Sequence, residues 1–235
     1  MRENPMNYES MEFGPLEERI GYHFTDPELL RTALTHKSFA SEYHIRAVPQ
    51  YERLEFLGDS ILEYIASEAL YERYPELPEG ELTKKRASLV CEYTLSQITK
   101  ELGYGDYVIL GKGEAMTGGR ERPSILCDLF ESVLGAIYLD GGMEPAKAYV
   151  TKHLLTDLEH KTVFTDAKTI LQEYAQKNGL LLEYELLDQS GPDHLRVYTS
   201  RVLLGGVPYE TGQSHSIKGA QMEAAHKTLR SLNLS

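Results

Sequence analysis

The spacing of apolar residues along the first two thirds of the chain is the strongest constraint on its fold. Residues 52–74 and 122–142 each place apolar side chains on one face at the period of an α-helix, and Pro75 and a Gly-Gly pair end these runs. The same period recurs in shorter segments at 15–24, 25–36, 82–103 and 144–160. Amphipathic helices bury their apolar faces against one another. The pattern therefore predicts an all-α bundle.

The period changes after residue 160. A helical segment at 166–179 is followed by three strand-like stretches and a final helix, at 182–189, 196–206, 207–214 and 217–232. The charge changes at the same place: residues 1–160 hold 16 Lys and Arg against 28 Asp and Glu, a net charge of −12, whereas residues 161–235 hold 8 of each. We therefore predict a helical domain at 1–160 and a small α+β domain of order α-β-β-β-α at 161–235.

Composition argues against several classes of protein. No apolar run approaches the about 20 residues that a membrane-spanning helix needs, and the polar start lacks a signal-peptide core, so we expect a cytoplasmic protein without a membrane partner. Cys91 and Cys127 have no metal-ligand spacing, which argues against zinc. The segment GKGEAMTGG lacks the order of a phosphate-binding loop, so no nucleotide cofactor is expected. A net charge of −12 argues against a generic polyanion binder.

Three carboxylates share one face of the helix predicted at 52–74. At about 100° per residue, Glu52, Glu55 and Asp59 fall within about 60° of one another, and the apolar core positions fall on the opposite side. The same spacing places Glu63 on the acidic face. A solvated surface would show this pattern too, so the first helix alone leaves a functional site and an ordinary exposed face as alternatives.

A second pair of acids, Asp128 and Glu131, stands on the otherwise apolar helix predicted at 122–142. Buried acids need partners or a metal. Gly58, which costs a helix interior about 1 kcal/mol relative to Ala, indicates close approach of another element beside the first acidic face. Two acidic faces in contact make an all-oxygen site that suits Mg²⁺ or Mn²⁺, whereas a di-iron site would need Glu-x-x-His. The residues therefore point to Mg²⁺-dependent hydrolysis of a phosphate ester.

Four sequence blocks resemble the bacterial ribonuclease III family. They are ERLEFLGDS at 52–60, GELTKKRASLV at 80–90, GKGE at 111–114 followed by Gly-Gly, and SILCDLFESVLGAIYLD at 124–140. The last domain resembles a double-stranded RNA-binding domain. The resemblance implies an all-α endonuclease domain followed by the small α+β RNA-binding domain, and an endoribonuclease that hydrolyses both strands of double-stranded RNA. It also implies 5′-phosphate products with short 3′ overhangs, and a role in the processing and turnover of rRNA and mRNA.

The resemblance also assigns roles to the acidic residues. The family's metal-binding carboxylates match Glu55, Asp59, Asp128 and Glu131. Of these, Asp59 and Glu131 would be catalytic, with Mg²⁺ as the ion and Mn²⁺ as an alternative. Glu52 and Glu79 match acidic positions that line the family's cleft. Phe56 matches a contact of the family's homodimer, although packing within its own chain is an alternative.

Residues of the last domain match the RNA contacts of that domain type. The matches are Thr169, Gln172 and Glu173 in the first helix, and Pro192, Asp193 and His194 in the loop after the first strand. Lys218 matches a phosphate contact at the start of the last helix. Ile217 stands where the family usually has another lysine. We therefore expect weaker and more salt-sensitive docking of this domain on RNA.

Two other functions are open from the sequence. A non-cleaving double-stranded RNA-binding or ribosome-associated protein could share the fold, although such proteins lose carboxylates that this chain keeps. A helical phosphohydrolase for small nucleotides could share the metal site, but it would have no use for a domain that reads the shape of an RNA duplex.

Overall fold

The computed structural model describes residues 11–43, 49–156, 167–191, 196–214 and 216–234. The chain divides into two compact units, Met1–Thr156 and Asp157–Ser235. The domain boundary expected at residues 160 and 161 falls between 157 and 166, outside the described residues, and stays a prediction.

The described part of the first unit is built from helices, as the periodicity predicts. They are α1 (Gly14–Ile20), α2 (Pro27–Ala33), α3 (Lys37–Tyr43), α4 (Glu52–Arg73), α5 (Glu79–Leu89), α6 (Glu92–Glu101), α7 (Lys112–Met116), α8 (Pro123–Gly141) and α9 (Met143–Val150). Short 3₁₀ turns lie at Tyr104–Asp106 and Gly119–Glu121, and a π-helical turn at Thr151–Leu155 follows α9. Among the described residues, none of the helices is long and apolar enough to cross a membrane.

Two helices, α4 and α8, form the centre of this unit. Most of α8 between Ile125 and Ile137 is buried in the apolar core. The leucines and isoleucines of α4 that lie on the face away from its acids are buried in the same core. The helices meet backbone to backbone, because a Cβ on Gly58 would overlap the carbonyl group of Glu131 and a Cβ on Gly135 would overlap that of Leu54. The close approach that Gly58 indicates in the sequence is confirmed.

The segment at 82–103, predicted as one helix, is instead divided between α5 and α6. The break lies at Val90 and Cys91, where the backbone of Cys91 is extended, with φ −77° and ψ 154°. The carbonyl of Ser88 accepts from the Cys91 thiol at 3.2 Å and from the Thr94 hydroxyl at 3.1 Å. Side-chain hydrogen bonds of this kind compete with the helical ladder, which explains why helical periodicity alone misses the break.

The second unit has the order α-β-β-β-α, as predicted. Its elements are α10 (Ala167–Lys177), β1 (Leu182–Ser190), β2 (Val197–Leu204), β3 (Val207–Ser214) and α11 (Ile217–Ser231). The strands form one antiparallel sheet in the order β1-β2-β3, and both helices pack on one face of it around Leu171, Val202 and Leu229. The side chain of Ser216 caps α11 by accepting from the backbone N–H of Gly219 at 3.0 Å.

Candidate active site

The contact between α4 and α8 brings the two acidic faces together. Glu55 and Asp59 lie three residues before and one residue after Gly58, and the backbone of Glu131 packs directly on Gly58. Asp128 lies one helical turn before Glu131 on α8. Neighbours three and four apart share a helix face, so the glycine contact places acids of both helices at the same level.

Three of the four predicted metal ligands form a compact cluster. Glu55, Asp128 and Glu131 each offer a carboxylate oxygen, and these oxygens lie within 4.8 Å of one another. All three side chains are partly buried, whereas Asp59 is exposed and lies outside this group. Asp59 is nevertheless near enough for its charge to act on Glu131.

The carboxylates of the cluster act strongly on one another through their negative charges. Burial, followed by the negative charges of Asp59 and Asp128, raises the pKa of Glu131 to about 8. Burial and the charges of Asp128 and Glu52 also raise the pKa of Glu55. Carboxylates that share a partly buried site resist simultaneous ionisation, so the arrangement favours a cation that neutralises them.

The donor set fits a hard divalent cation. An octahedral ion with bonds of about 2.1 Å holds neighbouring ligand atoms about 3.0 Å apart and opposite ones about 4.2 Å apart. The cluster's 4.8 Å limit is close to that range, so small side-chain rotations suffice. The thiol of Cys127 lies 4.0 Å from Oε1 of Glu131, but burial and the charge of Glu131 raise its pKa. The thiol therefore stays protonated and adds no soft ligand.

Sequence reasoning missed a hydroxyl that contacts the cluster. The side chain of Tyr51 is buried, and its hydroxyl donates to Oδ2 of Asp128 at 2.9 Å. Burial raises the pKa of Asp128, and the hydrogen bond from Tyr51 opposes that effect. The position of Tyr51 directly before Glu52 was the one signal in the sequence, and it does not by itself indicate a contact 77 residues away.

The two accessory acids have different surroundings: the charge of Glu52 acts on Glu55, whereas Glu79 lines a groove between α4 and α5. Glu52 is exposed at the start of α4 and accepts from Nζ of Lys37 at 3.0 Å. Glu79 is the first residue of α5, where its carboxylate accepts from the hydroxyl of Thr83 at 3.0 Å. Neither residue belongs to the compact cluster, and their roles stay predictions.

An apolar surface follows α4 beside the acids. Phe56 is 77% exposed, so it does not belong to the core of its own unit, and its role as a dimer contact stays a prediction. Tyr64 and Tyr71 are 51% and 73% exposed and lie within about 80° of Phe56 around the helix. Both tyrosines line a groove of about 450 Å³ between α4 and α5, which Leu82 and Glu79 also line. Exposed aromatic surface of this kind is typical of a protein interface.

The predicted RNA contacts on the two helices of the second unit are accessible. Thr169, Gln172 and Glu173 lie on the exposed face of α10, and Lys218 is exposed in the first turn of α11. Ile217, where another lysine was expected, is 43% exposed. The predicted loop contacts lie outside the described residues: Pro192, Asp193 and His194.

A second lysine lies near Lys218. Lys168 of α10 donates from Nζ to Oε1 of Gln221 at 2.7 Å and sits 4.5 Å from the ring centroid of Tyr184. Burial and the charge of Lys218 lower the pKa of Lys168. Two cations of this unit, one from each helix, therefore lie close enough to act on each other. Sequence spacing gives no signal for this pair, because the lysines are 50 residues apart.

Comparisons with known proteins cover both units. The family described as Ribonuclease-III-like matches residues 26–158, and the double-stranded RNA binding motif matches residues 167–232. Ribonuclease 3 of Limosilactobacillus fermentum is 43% identical over 222 residues, which are 93% of this chain and 96% of the relative. Ribonuclease 3 of Bacillus cereus is 43% identical over 224 residues, which are 94% and 91% of the two chains.

A solved structure matches the first unit. It is the nuclease domain of ribonuclease III from Campylobacter jejuni, which is 39% identical, with a TM-score of 0.58. The match covers 62% of this chain and 97% of that domain. The likeness in sequence and fold therefore extends over the helices that carry the carboxylate cluster.

Proposed function

The chain belongs to the ribonuclease III family of endoribonucleases, and we propose that it hydrolyses both strands of double-stranded RNA with the help of a divalent ion held by its acidic cluster. The observation that carries this proposal is the approach of Glu55, Asp128 and Glu131 to within 4.8 Å. The double-stranded RNA binding motif at 167–232 supports a duplex as the substrate. It argues against a phosphohydrolase for small nucleotides, and the complete set of carboxylates argues against a non-cleaving binder.

We assign metal binding to Glu55, Asp59, Asp128 and Glu131, with Mg²⁺ as the ion and Mn²⁺ as an alternative. When bound, the ion supplies a water of lowered pKa and positive charge for the phosphate. The three partly buried carboxylates hold their oxygens on one side of the α4–α8 contact. Asp59, which is exposed, is free to turn toward the ion or toward a water. Asp59 and Glu131 are the residues that we assign to the reaction itself, and Glu52 and Glu79 to the edges of the cleft.

The proposed products are duplexes with 5′-phosphates and short 3′ overhangs, formed in the processing and turnover of rRNA and mRNA. Staggered cuts in both strands need two sites related by symmetry. The exposed Phe56 and the aromatic groove on α4 support a homodimer. The Campylobacter jejuni ribonuclease III nuclease domain, a relative in this fold, has a region involved in dimer formation.

The second unit supports docking on the duplex. The exposed positions Thr169, Gln172 and Glu173 suit contacts in one minor groove, and Lys218 suits a phosphate. Pro192, Asp193 and His194 are assigned to the next minor groove from the sequence alone.

The test is cleavage of long double-stranded RNA by the full chain with Mg²⁺ and with EDTA. We expect Glu131→Gln to bind RNA without cutting it, and Glu101→Gln, which changes an exposed acid at the end of α6, to cut like the parent. Analysis of product ends tests the 5′-phosphates and the overhang. Cleavage by Glu131→Gln at the parent's rate would contradict the assignment of the site.

A further inference from the structure

The hydroxyl of Tyr51 is a neutral group that touches the acidic cluster, and the proposed reaction gives it no role. It donates to Oδ2 of Asp128 at 2.9 Å, and the tyrosine is only 2% exposed. A buried phenol needs a hydrogen-bond partner, but the partner here is one of the three clustered carboxylates. The hydrogen bond from Tyr51 therefore affects the carboxylate of Asp128 directly, even if it also satisfies the buried phenol.

The position of this hydroxyl is fixed from several sides. The backbone N–H of Tyr51 donates to the carbonyl of Thr35 at 3.0 Å, and its carbonyl accepts from the N–H groups of Leu54 and Glu55 at 2.8 Å each. The tyrosine ring packs against the ring of His36, with centroids 5.5 Å apart. A side chain held in this way presents its hydroxyl at one place and with little freedom.

The bond joins the start of one acidic helix to a carboxylate of the other. Tyr51 directly precedes α4, which carries Glu55, while Asp128 belongs to α8. The terminal torsion of an aspartate is broad, so an unbonded carboxylate at this position would rotate. The hydroxyl occupies one of about four acceptor sites of the carboxylate, which leaves the others available to an ion.

We propose that Tyr51 is a positioning residue for the divalent ion, because its hydroxyl orients the carboxylate of Asp128 in advance of ion binding. The inference rests on the proposed function, since it takes the acidic cluster as the ion's site. Partners of metal-binding side chains typically contribute about 10- to 100-fold to metal affinity. The simpler alternative is that the bond only satisfies a buried phenol, in which case it contributes to folding and not to ion affinity.

The two alternatives differ in the affinity for the ion alone. Tyr51→Phe removes the hydroxyl and keeps the ring, so we expect the affinity of the full chain for Mn²⁺ and for Mg²⁺ to fall about 10- to 100-fold. The measurement is calorimetric titration of the metal-stripped protein without RNA. Tyr104→Phe is the matched control, because Tyr104 is also fully buried in this core and its hydroxyl lies 2.8 Å from that of Tyr149, away from the cluster. It should lose stability and keep the parent's affinity.

A second readout is the dependence of cleavage on Mg²⁺ concentration. In Tyr51→Phe the half-maximal concentration should rise by the factor found in the titration, and saturating Mg²⁺ should restore most of the rate. A uniform loss of rate at all concentrations would contradict positioning.

The outcomes separate this inference from the proposed function. Parental affinity in Tyr51→Phe overturns the inference and leaves the proposed site intact. An equal loss of affinity in Tyr104→Phe also overturns it, because general loosening of the core would then explain the effect. If Glu131→Gln binds Mn²⁺ as tightly as the parent, the acidic cluster is not the ion's site, and both the proposed function and the inference fail.

Discussion

Replacing Gly58 by Ala is expected to separate the two helices that carry the acids. The new Cβ would lie 2.6 Å from the carbonyl carbon of Glu131 and 3.1 Å from the backbone nitrogen of Gly135. Non-bonded carbon atoms in contact are about 3.5 Å apart or more. The backbones of α4 and α8 must therefore move apart by about 1 Å at this point, and the oxygens of Glu55 and Glu131 with them.

The size of the effect follows from two opposing contributions. Gly→Ala inside an exposed helix stabilises a protein by about 1 kcal/mol, whereas overpacking of a core costs about 1–3 kcal/mol and occasionally more. With backbone atoms in the way, we expect Gly58→Ala to lower the free energy of unfolding by about 2 kcal/mol. For a chain of this size, that is a fall in melting temperature of about 4–8 °C. A misplacement of about 1 Å in a catalytic site can cost about 100-fold in rate.

The assay compares melting temperature in EDTA with the rate of double-stranded RNA cleavage at saturating Mg²⁺. Gly80→Ala is the matched control, because Gly80 lies in α5 and a Cβ there would meet nothing within 4 Å. It should melt no lower than the parent. Gly135→Ala approaches the same contact from α8 and should resemble Gly58→Ala. A Gly58→Ala protein with parental stability and full activity would refute the argument that backbone contact sets the site.

Three further predictions concern other surfaces and the charge of the site. Phe56→Ala should shift the chain from dimer to monomer in sedimentation and reduce cleavage, while Met116→Ala, a residue 84% exposed on α7, should change neither; a monomeric parent would contradict this. Ile217→Lys should tighten RNA binding and steepen its salt dependence by about one unit of slope, measured against Ile217→Gln; the chain with Ile217 should therefore bind more weakly but with the shallower slope, which reverses the sign of the salt sensitivity expected from the sequence, and equal slopes would show that the added cation meets no phosphate. The pKa of Glu131 is raised from an ordinary 4.5 to about 8, so the folded chain favours the protonated acid. The contribution of Glu131 to the stability of the fold is therefore complete below pH 4.5 and is lost as the pH rises from there through 8. In EDTA, the parent's melting temperature should therefore fall between pH 6 and pH 9 more than that of Glu131→Gln; parallel curves would contradict the shift.

Sequence periodicity could predict which acids share a face, but not which of them form the site. It placed Glu63 on the same stripe as Glu55 and Asp59. In the structure Glu63 lies outside the compact cluster and is paired with Nε of Arg86 on α5 at 2.6 Å, although its charge still acts on Glu131. That partner is remote in the sequence, and a helical period contains no information on such contacts. The family resemblance, which has no counterpart for Glu63, left it out for a different reason.

Helix α8 shows the same limit of prediction from helical periodicity. The spacing of Asp128 and Glu131 predicted their common face, and Gly58 correctly indicated a close neighbour. The contact of Tyr51 with Asp128 could not be predicted, since it depends on how the residue before α4 is held by its backbone hydrogen bond to the carbonyl of Thr35. Local sequence patterns determine which residues share a helix face, whereas long-range packing determines which residues of other elements those side chains contact.

The glycine contact between α4 and α8 also limits how the site can respond to ions of different radius. Backbone atoms of Gly58 and Glu131 already touch, so the two helices can separate but cannot come closer. Ca²⁺ forms bonds of about 2.3–2.6 Å, against about 2.1 Å for Mg²⁺. Its binding would therefore require only that the two helices separate, which the glycine contact allows. Radius alone therefore gives this cluster no means of rejecting Ca²⁺, and any preference for the smaller ion has to come from the stricter octahedral geometry that Mg²⁺ imposes on its ligands.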